Sequence, residues 1–264
     1  MAKIKPKEII DKIITSEVKT AFWVSWLVFV FVVGLTYIFF KYKGDFLRSV
    51  FIEAHGMLFD LFVIATFILW LNKKAEKRRN IQRWEEEIDD FREWDVKEAM
   101  FRIVGNIKRL NRYGITDIYL RDCFLKGANL ERADLREAVF TKANLNEASL
   151  AEANLRGADL SGADLSGAYL MAASLIEADL SGTSLAEANL WKADLRGADI
   201  RAANLRKADF GEADLRGAKL TIEQLSKVKT LFQTILDSEI EKKVKQKYPH
   251  LLEMPGFPKE EVEE

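Results

Sequence analysis

Between Leu120 and Leu220 the apolar pattern has a period of five: each of the 21 positions numbered by a multiple of five is Leu, except Phe140, Ile200 and Phe210. From Ala128 to Ala218 the position two before is Ala, with Thr183 the one departure. The residue between them is Asp or Asn at 13 of the 18 positions from Asn129 to Asp214. On an α-helix five residues advance a side chain by about 500°, so these leucines would spiral and form no stripe. On a strand an odd spacing sends successive leucines to opposite faces. The period therefore predicts a chain that bends once per repeat, three residues extended with Ala and Leu inward, then two turning a corner. Four corners return the chain above its start, so one coil takes 20 residues. Coils then stack at about 4.8 Å, the spacing of hydrogen-bonded strands. Glycines 127, 157, 162, 167, 182, 197 and 217 lie two after the Leu position, where a corner favours positive φ.

Before residue 115 the pattern changes. Ala21 to Phe40 is 20 residues without a charge, enough to cross about 30 Å of hydrocarbon as a helix. Trp23 and Trp26 lie near one end and Tyr37 and Tyr42 near the other, as interfacial aromatics do. A second apolar stretch, Phe46 to Leu71, is interrupted by Glu53, His55 and Asp60. A hairpin joined around Lys41–Asp45 is the simplest arrangement. Residues 73–95 space Ile81, Trp84, Ile88, Phe91 and Trp94 at helical intervals amid dense charge, continuing out of the second span. Its basic start suits anionic lipid. Asp95 with Glu98 predicts a capping box opening a helix to about Arg112, with Val96, Ala99, Ile103, Ile107 and Leu110 on one face and Gly114 ending it. That helix would cover the open edge that a stacked coil leaves at its end. Beyond the repeats, Thr221 with Gln224 and Ser238 with Glu241 predict two more helix starts, the second helix reaching Tyr248 before Pro249.

The run of Leu, Ala, Asx and corner glycines over residues 115–221 resembles the pentapeptide-repeat family. The resemblance implies an all-β solenoid, a right-handed quadrilateral β-helix capped by α-helices, here preceded by a two-helix transmembrane hairpin. The segment after Thr221 looks like the C-terminal segment of several members, some of which dimerise through terminal helices. Other members resemble a DNA duplex and bind DNA gyrase through a strongly acidic surface. From Thr116 to Thr221 there are 17 acidic and 13 basic residues, a net of only −4, which argues against that mimicry.

Over the whole chain of 264 residues, 40 basic residues balance 41 acidic ones, so no overall charge draws the protein to nucleic acid. Basic residues instead cluster around the apolar stretches: five precede the first (Lys3, Lys5, Lys7, Lys12 and Lys19) and six follow the second (Lys73, Lys74, Lys77, Arg78, Arg79 and Arg83), against three (Lys41, Lys43 and Arg48) near the connection. Positive charge on the inner side predicts an integral (bacterial inner) membrane protein with both termini and the repeats cytoplasmic. Cys123 is the single cysteine, at an inward Ala-type position, and excludes an internal disulfide or a cysteine cluster. His55 and His250, the only histidines, lie outside the repeats, so the solenoid holds no His-based metal site or Ser–His–Asp triad. Gly157, Gly162 and Gly167 lack the Lys and Ser/Thr of a phosphate loop. No catalytic group and no cofactor are expected.

What remains is surface. Residues 20 apart share a column, which aligns Arg136, Arg156, Arg196 and Arg216, interrupted by Ile176, as either an anion-binding ladder or solvated arginines offset by Glu137 and Glu177. Ala151, Met171 and Trp191 form an apolar column beside Tyr169, a partner or self-association surface or incidental apolar exposure. Glu53 and Asp60, seven apart, fall on one helix face as an intramembrane polar site, or lie near headgroups if the span starts late. The domain plan is a basic segment 1–20, transmembrane hairpin 21–72, amphipathic helices and cap 73–114, β-helix 115–221, C-terminal capping helices 222–249 and an acidic tail 250–264. The expected function is a non-enzymatic membrane-anchored scaffold that binds membrane lipid and a protein partner, or copies of itself as a homo-oligomer, with no nucleic acid. The alternative is a homo-oligomeric channel or pore-forming effector lined by the hairpins.

Overall fold

The computed structural model describes residues 45–254, together with single positions of an earlier helical stretch (Trp23, Trp26, Val30, Val33, Gly34 and Tyr37). Its two compact units are Met1–Asn80 and Ile81–Glu264.

Helix α1 runs unbroken from Asp45 to Phe91, so its last turns belong to the second unit. Over Gly56–Phe91 it is the one helix among the described residues long and apolar enough to cross a membrane, by length and composition, its most apolar 18 residues having mean hydropathy 1.5 and none of them buried. The hydroxyl of Thr66 donates to the Phe62 carbonyl (2.9 Å), so this polar group is satisfied within the helix. Trp70 stacks on Phe67 (centroids 5.9 Å apart) and carries Lys74 Nζ 4.9 Å from its ring. The first arm of the expected hairpin is described only at its single positions, which are helical and exposed. The rest of that arm, the connection through Gly44, the basic segment 1–20 and the tail from 255 lie outside the described residues.

In the second unit, residues 81–91 of α1 pack against α2 (Lys97–Arg112). Trp84 and Ile88 are buried with Ala99, Met100, Ile103, Val104, Ile107 and Leu110. Trp84 meets Tyr113 edge-on at 5.2 Å, and Arg102 reaches Glu87 at 3.1 Å while lying over Phe91. The Asp95–Glu98 box does not form. The chain enters the helix one residue later, Val96 is the extended N-cap (φ −134°, ψ 147°), and no side chain bonds there. Asp95 thus precedes the capping position. Val96 is exposed and leaves the buried face. Gly114 (φ +78°) donates to Asn111 O and Ile115 N to Leu110 O, the paired bonds of a Schellman ending.

From residue 119 the chain climbs as a four-sided tower. Parallel single bridges join residues 20 apart, starting with Tyr119–Val139, Phe124–Asn144, Asn129–Ser149 and Asp134–Asn154 on the four faces. Inside, the Leu-type positions from Leu120 to Leu215 and the Ala-type positions from Cys123 to Ala218 are at most 7% exposed. Leu220, at the top, is only partly buried. Thr183 fits the Ala column because its hydroxyl donates to Leu180 O (2.7 Å). Burial pushes the Cys123 thiol up to about 12, beyond reach of thiolate chemistry at neutral pH.

One repeat accounts for every backbone N–H. Leu160 donates up to Asp179 O (2.8 Å), Gly162 up to Ser181 O (3.0 Å) and Asp164 down to Ala143 O (2.9 Å), while Ala163 closes the corner onto Leu160 O (3.0 Å). The remaining donor, Ser161 N, goes to the Asp159 carboxylate at 2.9 Å. That Asx turn explains the abundance of Asp and Asn between the inward residues: their side chains bond the one donor that the coils leave over. The left-handed residue of the corner recurs in every repeat from Asp122 to Gly217. Glycine supplies it at seven corners (φ 66–71°), and thirteen side-chain-bearing residues adopt it at φ 55–60°. Stacking therefore imposes on non-glycine residues a conformation that costs about 1–2 kcal/mol each.

The tower does not stop at Thr221, and the expected run of capping helices over 222–249 is replaced by a mixed segment. The Thr221–Gln224 box forms, with Gln224 N donating to Thr221 Oγ1 (3.2 Å) and Thr221 N to Gln224 Oε1 (3.0 Å), but α3 is only Ile222–Leu225. The chain then rejoins the tower one residue out of step, pairing Asp209 with Thr230 and Asp214 with Ile235. A bulge absorbs the extra residue: Lys229 N donates to Ala208 O, while Thr230 O accepts from Phe210 N. Leu231 and Leu236 thereby point inward. Helix α4 is Ser238–Lys247, with Asp237 rather than Ser238 as N-cap and no side-chain cap bond. The Asp237 carboxylate instead accepts from Gly217 N (3.0 Å), occupying the place of a further coil. A 3-10 turn, Pro249–Leu252, brings Leu251 O back to Leu231 N (2.6 Å).

Side-chain amides close both edges. Asn111 stands where residue 114 of a lower coil would pair: its Nδ2 donates to Asp134 O (2.7 Å) and its Oδ1 accepts from Asp134 N (3.0 Å). At the top, Gln224 Nε2 donates to Ile200 O (2.8 Å) and Ala203 O (3.1 Å).

Candidate interaction surface

Most outward polar groups serve the fold. Apart from Asp134, each Asp or Asn between inward residues from Asn129 to Asp214 accepts from the backbone N–H two residues on. Asp194 and Asp199 also receive two bonds each from Arg196 and Arg201, Asp214 receives three from Arg216, and Asp134 receives two from Arg136. Between coils, Arg132–Glu152 (2.9 Å), Lys192–Glu212 (3.4 Å) and Lys207–Glu187 (3.4 Å) form vertical rungs.

Arg136, Arg156, Arg196 and Arg216 do share one exposed column, broken by Ile176, but each is matched by a carboxylate. Their partners are Asp134 (2.7 Å), Glu177 (3.2 Å), Asp194 (2.7 Å) and Asp214 (2.6 Å). Glu177 is thus a direct partner, while Glu137 acts on Arg136 only through space. An anion arriving here must compete with a carboxylate already bound two residues or one coil away.

The apolar column divides. Tyr169 and Met171 are 55% and 47% exposed. Trp191 is only partly exposed, because its indole lies across Gly211: a Cβ at 211 would fall 2.3 Å from the ring. The ring also faces Phe232 at 6.4 Å. Trp191 therefore fastens the final half coil to the one below and is no free anchor. Ala151, partly buried, adds little area. Glu53 and Asp60 are both exposed on α1, seven residues apart and hence on one side of it. Sequence reasoning did not single out Asn111, Gly211 or Phe232, since each gains its role from a partner 20 or more residues away.

A model of pentapeptide repeats matches residues 115–151, 148–185 and 183–221, with eight copies. Among solved structures, alr5209, a pentapeptide repeat protein from Nostoc Pcc 7120, is 35% identical over 37% of this chain and 86% of its own, with a TM-score of 0.30. The chain belongs to the pentapeptide-repeat family. Rfr23, a pentapeptide repeat protein from the cyanobacterium Cyanothece 51142, is 32% identical over 39% of this chain and 66% of its own, just under two thirds, with a TM-score of 0.29. QnrB1, a plasmid-mediated fluoroquinolone resistance protein, is 19% identical over 47% of this chain and 72% of its own, with a TM-score of 0.36. No curated protein matches. Membership rests on the repeats and their identity, and it implies a right-handed coil for the tower.

The pentapeptide repeats should be acid-sensitive. Asp194, Asp199 and Asp214 are held below the usual carboxylate range, first by hydrogen bonds from Arg196, Arg201 and Arg216. Burial pushes Asp159 upward, but bonds from Ser161 and Thr141 outweigh it and leave the group lowered. A carboxylate lowered on folding contributes stability that is present above its unfolded value, here 3.8, and is lost as pH falls through the folded one. The melting temperature is therefore expected to be flat from about pH 7 to 5 and to fall progressively below about pH 4. Circular dichroism melts across that range test this, and a melting temperature unchanged down to pH 2 would overturn it.

Proposed function

We propose that this pentapeptide-repeat protein is a non-enzymatic, membrane-anchored scaffold whose tower presents an edge to a protein partner on the cytoplasmic side. The observation that carries the reading is the use made of the polar surface. The aspartates are taken up by corner turns and arginines, and the arginine column is matched; of the large apolar side chains that project from the tower (Tyr119, Tyr169, Met171 and Ile235), Tyr169 and Met171 are the two that stand side by side. Projecting aromatic and Met side chains are favoured contact anchors. Anchoring is supported by the apolar length of α1 and by the basic residues that follow Leu71.

The test uses the full chain in two readouts. Membranes washed with alkaline carbonate should retain it, and its release into the wash would end the anchoring reading. Affinity purification from those membranes should recover a partner with the wild type and lose it with Tyr169→Asp/Met171→Asp. Both substitutions are on the exposed wall and spare Trp191, whose loss would loosen the top coil. An unchanged partner set would reject this edge.

A further inference from the structure

We propose that the tower edge after Tyr169 takes a second copy of this chain, packed side by side and antiparallel about a two-fold axis at Met171. The observation is the order of charges up that edge. Residues 132, 152, 172, 192 and 212, one per coil, are Arg, Glu, Ala, Lys and Glu. Read upward this column is positive, negative, neutral, positive, negative; read downward every sign is reversed. In the adjoining column of Met171 the one charge is Glu131, whose carboxylate accepts from Ser149 Oγ (2.9 Å). Two antiparallel copies centred on Met171 therefore set Arg132 against Glu212 and Glu152 against Lys192, each pair twice, as an isologous contact requires. All four side chains are available: Arg132 is 76% exposed, Glu152 54%, Lys192 57% and Glu212 32%. The rungs Arg132–Glu152 and Lys192–Glu212 within each tower would join their counterparts into four-charge clusters on either side of the centre.

The same order rejects the alternatives. A parallel pair sets like charge against like at all four positions. A slip of one coil brings Glu152 to Glu212, and a slip of two brings Lys192 to Lys192 and Glu212 to Ala172. Such like-charge contacts select register and orientation more than they set affinity. At the centre Met171 meets Met171 beside Tyr169. The positions in line with Tyr169 are Asn129, Ser149, Asn189 and Asp209, three of them corner-capping, so its level gives up a local cap and presents an aromatic instead. The contact is confined to the edge, because flat opposition of the whole face would bring Glu147 against Glu187.

This inference names the partner within the interaction reading above, resting on it only for the tower's presenting role and not at all for the membrane. The experiment is cross-linking of the full chain in detergent, with Met171→Cys and a short bis-maleimide; the native Cys123 is fully buried. The expected result is a covalent dimer from Met171→Cys and little from Ile176→Cys, at the next corner of the same coil. Adding Glu152→Lys should lower the yield at least fivefold. Adding Lys192→Glu to that variant should restore it, although the double exchange leaves like charges on both rungs within each tower, so recovery reports only the contact between chains. No dimer, equal yields at 171 and 176, indifference to Glu152→Lys, or no recovery on the double exchange would each overturn the proposal. Retention of another partner in the affinity experiment would leave the scaffold reading standing.

Discussion

Leu165→Asp is expected to abolish cooperative folding of the tower. Leu165 is fully buried in the shaft, in line with Leu145, Leu185 and Leu205 of the coils below and above, all at most 1% exposed. Its surroundings are apolar side chains and backbone groups whose hydrogen bonds are already made between coils and across corners. A carboxylate there has neither water nor donor. Truncation at such a site costs about 2–5 kcal/mol, and an unpaired buried charge adds several more. Domains have only about 5–15 kcal/mol in total. Leu165→Ala is the comparison: it should fold and melt several degrees lower. Far-ultraviolet circular dichroism with thermal melts reads both, and a Leu165→Asp variant melting within a few degrees of the wild type would mean that the shaft is not closed.

The second large effect lies at the lower edge. Replacing Asn111 by Leu keeps its size but strips Asp134 of partners for both N–H and C=O, and removes the bond to Ile115 O. Each orphaned group costs about 1–3 kcal/mol if it stays dry. The site is partly buried, so a total of about 2–4 kcal/mol is expected. Asn111→Asp, which keeps the acceptor for Asp134 N and loses the donor, should fall between. Chemical denaturation gives the values; a loss under about 1 kcal/mol would show that water substitutes for the amide.

The residues that carry these two effects differ in how visible they are. Leu165 belongs to a period that a reader of the chain finds at once, and the same period located Ala163, Asp164 and the corner at Gly167. Asn111 belongs to no pattern, because its partner is 23 residues away in a coil that exists only once the tower has wound. The Thr221–Gln224 box was legible as a helix start, yet the second task of Gln224, holding two carbonyls of the coil below, was not. The bulge at Lys229–Thr230 hid the last half coil, since one extra residue moves Leu231 and Leu236 off the multiples of five. The period puts Trp191 in one column with Ala151 and Met171 but does not give its exposure. Whether a corner Trp faces solvent depends on the side chain one coil above, and here that residue is glycine.

Taken alone, the sequence determined that residues 115–221 wind in coils of 20, which side chains turn inward, where the corners fall and where one helix long and apolar enough to cross a membrane forms. These follow from local periodicity and composition, because each repeat meets the same geometry as the last. The tertiary structure decided which polar groups are spoken for, which amides close the open edges and which apolar side chains still project. Those outcomes depend on contacts between coils, where vertical neighbours far apart in the chain compete for the same hydrogen bonds and the same space.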